Sequence, residues 1–182
     1  MKLLEGELHQ SGLKLSEVKN LSLLKQVYEL RVQAWRDKVE IPSDADCWVD
    51  PEDSLAQHWV VLAQQMVIAA ARMTIHHAVE ELPDREGYMG VLDVLPAPIG
   101  SLNRCVVHPD FRHRGLSRVL DEVRISSAKS SGCRSLVICA TDLQRAAAIS
   151  ALGFQFRGEG PKMPIGLAAG TRSLVYTMIL AA

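Results

Sequence analysis

No sign of charge dominates this chain of 182 residues, because 20 lysines and arginines stand against 21 acids and leave a formal net charge of −1. Without an overall positive field to draw in phosphates, nucleic acid is not an expected partner. No stretch is long and apolar enough to span a bilayer, and Met1-Lys2-Leu3-Leu4-Glu5-Gly6-Glu7 meets acids before any signal-like run develops. A cytoplasmic protein with no membrane partner is expected. The 4 cysteines, Cys47, Cys105, Cys133 and Cys139, form no CxxC pair, and two of them lie inside apolar segments. Buried free thiols therefore fit better than a zinc site, and no metal is expected. Internal repeats and low-complexity tracts are also missing. What the chain does have is 48% hydrophobic residues, enough to fill the core of one domain over residues 1–182.

Apolar residues at Leu23, Val27, Leu30 and Ala34, widened by Leu24, Tyr28 and Trp35, recur at helical spacing and predict an amphipathic helix from Leu21 to Lys38. Asp50-Pro51-Glu52-Asp53 offers a capping carboxylate and a proline for a short helix to about Gln57. Trp59–Ala63 and Val67–Ile75 read as strands joined by a tight turn at Gln64-Gln65. From Glu80 to Gly100 there are too many breakers for a regular element, so a long loop is expected. A strand over Leu102–Val107 follows, then a turn, then a helix burying Leu116, Val119, Leu120 and Val123 and stopping near Gly132. Leu136–Ala140 reads as a covered strand, and Asp142 caps a helix to Leu152. Strands over Phe154–Arg157 and Ser173–Leu180 flank a second breaker-rich loop, Gly158–Gly170. The order implies an α/β fold, a mixed sheet with helices on both faces.

Chemistry concentrates in Val106-Val107-His108-Pro109-Asp110-Phe111-Arg112-His113-Arg114-Gly115-Leu116-Ser117, where a strand breaks at a proline and opens into a helix. Such a turn aims several backbone N–H groups at one point, and the helix dipole adds positive potential there. Gly115 admits a phosphate without a Cβ in the way, while Arg112, Arg114 and Arg118 supply charge for a diphosphate. The lysine and Ser/Thr of a triphosphate P-loop are missing, and the glycines are too few for a dinucleotide fingerprint.

From about Trp59 to Tyr176 the chain resembles the GNAT acetyltransferases, which place a turn of pattern Q/R-x-x-G-x-G/A between a strand and a helix and end a later helix at Gly-Phe. Arg112 and Gly115 hold the first two fixed positions, Ser117 replaces the final small residue, and Gly153-Phe154 supplies the later mark. The resemblance implies a GNAT-like fold with a central, mostly antiparallel sheet. It also implies acetyl-CoA as co-substrate and transfer of the acetyl group to a primary amine of a small molecule or peptide. The backbone of Cys105, Val106 and Val107 would then hold the pantetheine arm, and the N–H groups of His113, Arg114, Gly115, Leu116, Ser117 and Arg118 the diphosphate. A backbone N–H at Val106 or its neighbour would serve as oxyanion donor. Asp142 stands where many relatives place a cofactor-touching asparagine, and a plain helix cap is expected of it instead.

The family's usual base, four residues before the first pantetheine contact, falls on Ser101, and its usual acid on Ile149; neither side chain can do that proton transfer. Ser101 and Asn103 are the catalytic candidates on the strand, with Arg104 beside them as a group to position the acceptor; His76 and His77 fit structural roles better. A thiol with pKa of about 8.5 leaves without much help, which favours an acceptor of low basicity or proton loss through water. The alternative function is a module that holds acyl-CoA without transferring the acyl group. Oligomeric state is open, a homodimer included.

Overall fold

The structure, a computed structural model, describes residues 8, 10–36, 41–83, 85–88, 90–92, 94–162 and 172–180. Residues 1–7, the last two of the expected first helix (37–38), three of the first long loop (84, 89, 93) and most of the second (163–170) lie outside them. Among the described residues the strands are β1 (Leu13–Glu17), β2 (Gln57–Ala63), β3 (Met66–His76), β4 (Ile99–Val107), β5 (Ser135–Ala140), β6 (Gln155–Lys162) and β7 (Arg172–Ile179). The α-helices are α1 (Leu21–Trp35), α2 (Leu116–Ser130) and α3 (Leu143–Ala151). Strand order is β1-β2-β3-β4-β5-β7-β6. The expected mixed α/β class holds, and the parallel pairing of β4 with β5 follows from the helical crossover through α2.

The described residues divide into two compact units: those within 8–36, 41–73 and 104–124 in one, those within 74–103 and 125–180 in the other. In the first, β1 pairs antiparallel with β2, and β2 with β3, so that Leu13 faces Ala63 and Trp59 faces Ala71. Ala69, Ala70 and Ala71 are buried strand residues, in a run that also holds the β-branched Val67 and Ile68. Gln64 turns the hairpin at a φ of 57°. β1 went unforeseen, although Leu13 and Leu15 alternate with polar residues as a half-buried strand should. Asn20 starts α1, its side chain accepting the Leu23 N–H at 2.9 Å. Val27, Leu30 and Ala34 of α1 pack with Val60, Val67, Ala70 and Val106 in one apolar cluster.

Asp50 begins a short helical turn as expected, a 3-10 turn over Pro51–Leu55, with a reciprocal capping box between Asp50 and Asp53. The Asp53 carboxylate accepts the Asp50 N–H at 2.8 Å, and the Asp50 carboxylate also binds arginines. On α2, Leu116, Val119 and Leu120 are buried as expected, joined by the ion pair Asp121–Arg124. Arg124 also donates to the carbonyls of Leu120 at 3.1 Å and Arg72 at 3.0 Å.

In the second unit β4 begins three residues earlier than expected, and its parallel ladder runs from Ile99 opposite Ser135 to Leu102 opposite Ile138. The long loop before β4 is not loose: Leu82, Tyr88 and Leu95 pack with Ile99, Val137 and Val175. The Ser173 hydroxyl donates to the Gly87 carbonyl at 2.8 Å. β6 extends well beyond Arg157 into the expected second loop, because Gly158 at a φ of 156° lets it kink while staying paired with β7.

Candidate active site

The turn after β4 opens directly into α2. His108 accepts the Asp110 N–H at 3.3 Å, and the Phe111 and Arg112 amides close a 3-10 turn on the His108 and Pro109 carbonyls. His113 and Gly115 then take left-handed φ values of 62° and 74°. The next amides to find acceptors are those of Arg118 and Val119, both on the Gly115 carbonyl, at 3.0 and 3.2 Å. Between them the N–H groups of His113, Arg114, Gly115, Leu116 and Ser117 meet no acceptor among the described residues. Consecutive unpaired donors at a helix N-terminus are an arrangement that attracts anions in general. The expected set is thus shortened by one, because the Arg118 amide already makes the first bond of α2.

The three arginines of this turn have different placements. Arg112 points back and donates to the Ala34 carbonyl at 2.9 Å, so its side chain braces the turn. Arg114 lies over the Phe111 ring with its Cζ 4.9 Å from the centroid, and exposed Arg118 pairs with Glu122 at 2.8 Å. A cavity of about 960 Å³ opens beside Arg114, Gly115 and Arg118, with Gln64 and Leu13 on another wall.

The end of β4 supplies a second set of backbone groups. His108 N–H donates to the Ile68 carbonyl on β3 at 2.8 Å. Amides alternate in direction along a strand, so Val106 directs its N–H toward β3 and Val107 directs its own away. The same parity groups Cys105 with Val107. Of the expected pantetheine-binding residues, Val106 is buried in the apolar cluster. Arg104, just before them, has a φ of 51° inside the strand. A non-glycine residue is held there at a cost of about 1–3 kcal/mol.

A model of the acetyltransferase (GNAT) family matches residues 24–154 of this chain. The chain belongs to the GNAT family. Solved structures agree on the fold. The ribosomal-protein-S18-alanine N-acetyltransferase of Escherichia coli superposes with a TM-score of 0.64 at 15% identity, covering 93% of this chain and 95% of that one. A GNAT family acetyltransferase of Elizabethkingia anophelis with acetyl-CoA bound gives 0.57 at 13% identity, over 93% and 99% of the two chains. An agmatine N-acetyltransferase gives 0.66 at 14% identity, over 92% and 100%. No curated protein matches the sequence significantly.

Measured against the GNAT pattern, the side chains at the usual acid and base positions are closed off. Ser101 and Ile149 are both 0% exposed. Asn103 donates from Nδ2 to the Ser101 hydroxyl at 3.3 Å, which spends that candidate on its neighbour. Asp142 accepts the Arg145 N–H at 2.7 Å and so acts as the helix cap expected of it. His76 shares a hydrogen bond of 2.7 Å with the Thr74 hydroxyl, and the His77 amide donates to Glu81 at 2.9 Å. Among the described residues, no helix is long and apolar enough to cross a membrane, and no group of three or more acids, histidines and cysteines is arranged to hold a metal.

What sequence reasoning missed in this GNAT domain is a buried ionic network. Arg31 of α1 grips Asp53 through two bonds of 2.6 and 2.8 Å; Arg72 of β3 bonds Asp53 at 2.9 Å and Asp50 at 3.1 Å. Asp50 continues to Arg104 through Nε at 2.6 Å and Nη2 at 3.2 Å, and accepts the Trp48 Nε1–H at 3.0 Å. Burial alone would raise both carboxyl pKa values, but the hydrogen bonds and charges of the arginines win and hold both below the ordinary range. His58 Nε2 donates to the Asp53 carbonyl at 3.2 Å, and burial, seconded by Arg31 and Arg72, pushes its pKa down. A signal was present: Arg31 and Arg72 interrupt apolar stretches where a lone charge requires a partner.

Proposed function

We propose that this protein transfers an acetyl group from acetyl-CoA to a primary amine of a small molecule or peptide, by direct attack of the amine in a ternary complex. The observation that carries the reading is the run of five amides, His113–Ser117, with no acceptor among the described residues at the N-terminus of α2. A diphosphate satisfies donors so arranged, and Arg114 and Arg118 stand at the same edge to balance its charge. The backbone of Cys105, Val106 and Val107 takes the pantetheine arm.

The residues then divide the work of acyl transfer. The turn fixes the coenzyme, and an N–H of β4 stabilises the negative oxygen that forms when the amine attacks. Proton removal falls to water, since Ser101 is sealed in the core and Asn103 has no basic group. This favours acceptors that are partly neutral near pH 7, such as α-amines with pKa of about 8, over ε-amines near 10. The N-acetyltransferases among the structural neighbours support the amine as acceptor class. The protein acts in the cytoplasm, as a monomer or homodimer.

The test is incubation with acetyl-CoA and a panel of amines while free thiol is followed. Turnover with at least one amine is expected; none with any amine contradicts transfer. The buried Ile149 and Ser101 at the usual proton-transfer positions favour a second reading, a module that holds acyl-CoA without using it. Tight CoA binding with no thiol release would select it.

A further inference from the structure

We propose that the cavity beside the N-terminus of α2 binds an aliphatic monocarboxylate, its chain among the apolar walls and its head at Arg114 and Arg118, and that this ligand excludes coenzyme A. Only the exclusion rests on the acetyl-CoA reading of the turn. All the lining residues belong to the first unit, and the volume of about 960 Å³ is that of a small-molecule site. Leu13 of β1, Ala63 and Met66 at the β2–β3 hairpin, and Leu116 and Val119 of α2 supply apolar surface. Leu116 and Val119 are 2% and 7% exposed, whereas Met66 is 49% exposed. A half-exposed methionine at a hairpin turn has apolar surface left to cover, and its unbranched thioether adapts to a flexible chain.

The charged groups of the lining are few and of one sign. Among the described residues they are Arg114 and Arg118, with no acid. An ammonium head would find no partner there, and a carboxylate finds guanidinium donors. Arg118 also pairs with Glu122 at 2.8 Å, which lowers the positive charge on offer and suits a head group carrying one negative charge. The diphosphate of the coenzyme brings more charge, and it draws on the turn's amides as well.

The two ligands overlap at the turn. Gly115 and Leu116 line the cavity and also belong to the run of amides from His113 to Ser117. A carboxylate held at Arg114 and Arg118 therefore occupies the edge where the diphosphate binds, and each displaces the other. The chain contributes separately from the head: each methylene taken out of water is expected to strengthen binding roughly fourfold, until the walls are covered.

The experiment measures the binding of hexanoate, octanoate, decanoate and decanol to the full chain by calorimetry, below micelle-forming concentrations, and repeats decanoate with CoA present. Affinity should rise roughly fourfold per methylene from hexanoate to decanoate. Decanol, with the chain and no charge, should bind about tenfold more weakly than decanoate, and saturating CoA should displace the acid. Leu13→Trp fills the cavity from β1 and should weaken decanoate about tenfold while CoA affinity stays within about twofold. If that variant does not fold, Ala63→Phe fills the cavity from β2, with the same result expected. The inference is overturned by unsaturable binding, by affinity that ignores chain length, by decanol binding as tightly as decanoate, or by decanoate that stays bound beside CoA. Unchanged decanoate affinity in the folded variant overturns it too. A wild type that binds decanoate as described but no CoA supports the cavity site and overturns the coenzyme reading instead.

Discussion

Arg112 Nη2 donates to the Ala34 carbonyl at 2.9 Å, joining the anion turn to the last turn of α1. The carbonyls at a helix end have no partner within the helix, so this arginine serves as a brace and an acceptor is satisfied. Arg112→Ala should therefore cost stability, about 1.5–3 kcal/mol by denaturant titration, as expected for a hydrogen bond to a charged group. Its effect on CoA affinity should be smaller than that of changes at Gly115.

Gly115 has a φ of 74°, and a Cβ built there would meet nothing of the protein within 4 Å. The space it would enter is the one assigned to a phosphate. Gly115→Val should lower CoA affinity at least tenfold by calorimetry, with a thermal destabilisation of about 1 kcal/mol from backbone strain. Equal affinity in the variant and wild type would remove the turn from the coenzyme site.

Asp53 neutralises two buried guanidinium groups at once, Arg31 and Arg72. Asp53→Ala removes the closest carboxylate of each, leaving Arg72 on Asp50 at 3.1 Å and Arg31 with Asp50 only at 3.7 Å, and should cost about 3 kcal/mol in chemical unfolding. A loss below about 1 kcal/mol would show that the network contributes little.

Acid should weaken the fold in two stages. His58 is held neutral by burial, so as pH falls below about 6.5 the unfolded chain binds a proton that the folded one refuses, and stability drops. Asp50 and Asp53 have depressed pKa values, so their contribution is complete above the unfolded value of about 3.9 and is lost as pH falls below it. Unfolding free energy measured from pH 8 to 3 should show both stages, and His58→Gln should abolish the first alone.

Most of the fold was legible because its elements carry strong local signals. Gly132 and Gly153, at φ values of 76° and 95°, stop helices where the sequence says they should, and Asp142 starts one. β1 escaped because five residues with two leucines give too short a pattern to stand out before its pairing with β2 is known. The first long loop looked structureless for its prolines and glycines, yet Leu82, Tyr88 and Leu95 are buried and two short 3-10 turns, Val79–Glu81 and Arg85–Gly87, lie among them.

The candidate site was half legible. A turn between strand and helix announces its own anion chemistry, since the donors are backbone amides and their spacing is fixed by the chain. The Asp50–Arg104 grip joins residues 54 positions apart, and no local pattern reports such a pairing. Nor does sequence reveal that Arg112 is turned toward α1, or which parity of amides faces outward on β4. Those facts appear only when β3 supplies the acceptor for His108.

One titration bears directly on the proposed coenzyme turn: CoA added to 15N-labelled protein while backbone amide resonances are followed. The largest shifts should fall on His113, Arg114, Gly115, Leu116 and Ser117, with Val107 moving next. Saturable binding that leaves those five signals in place, or no binding at all, would contradict it.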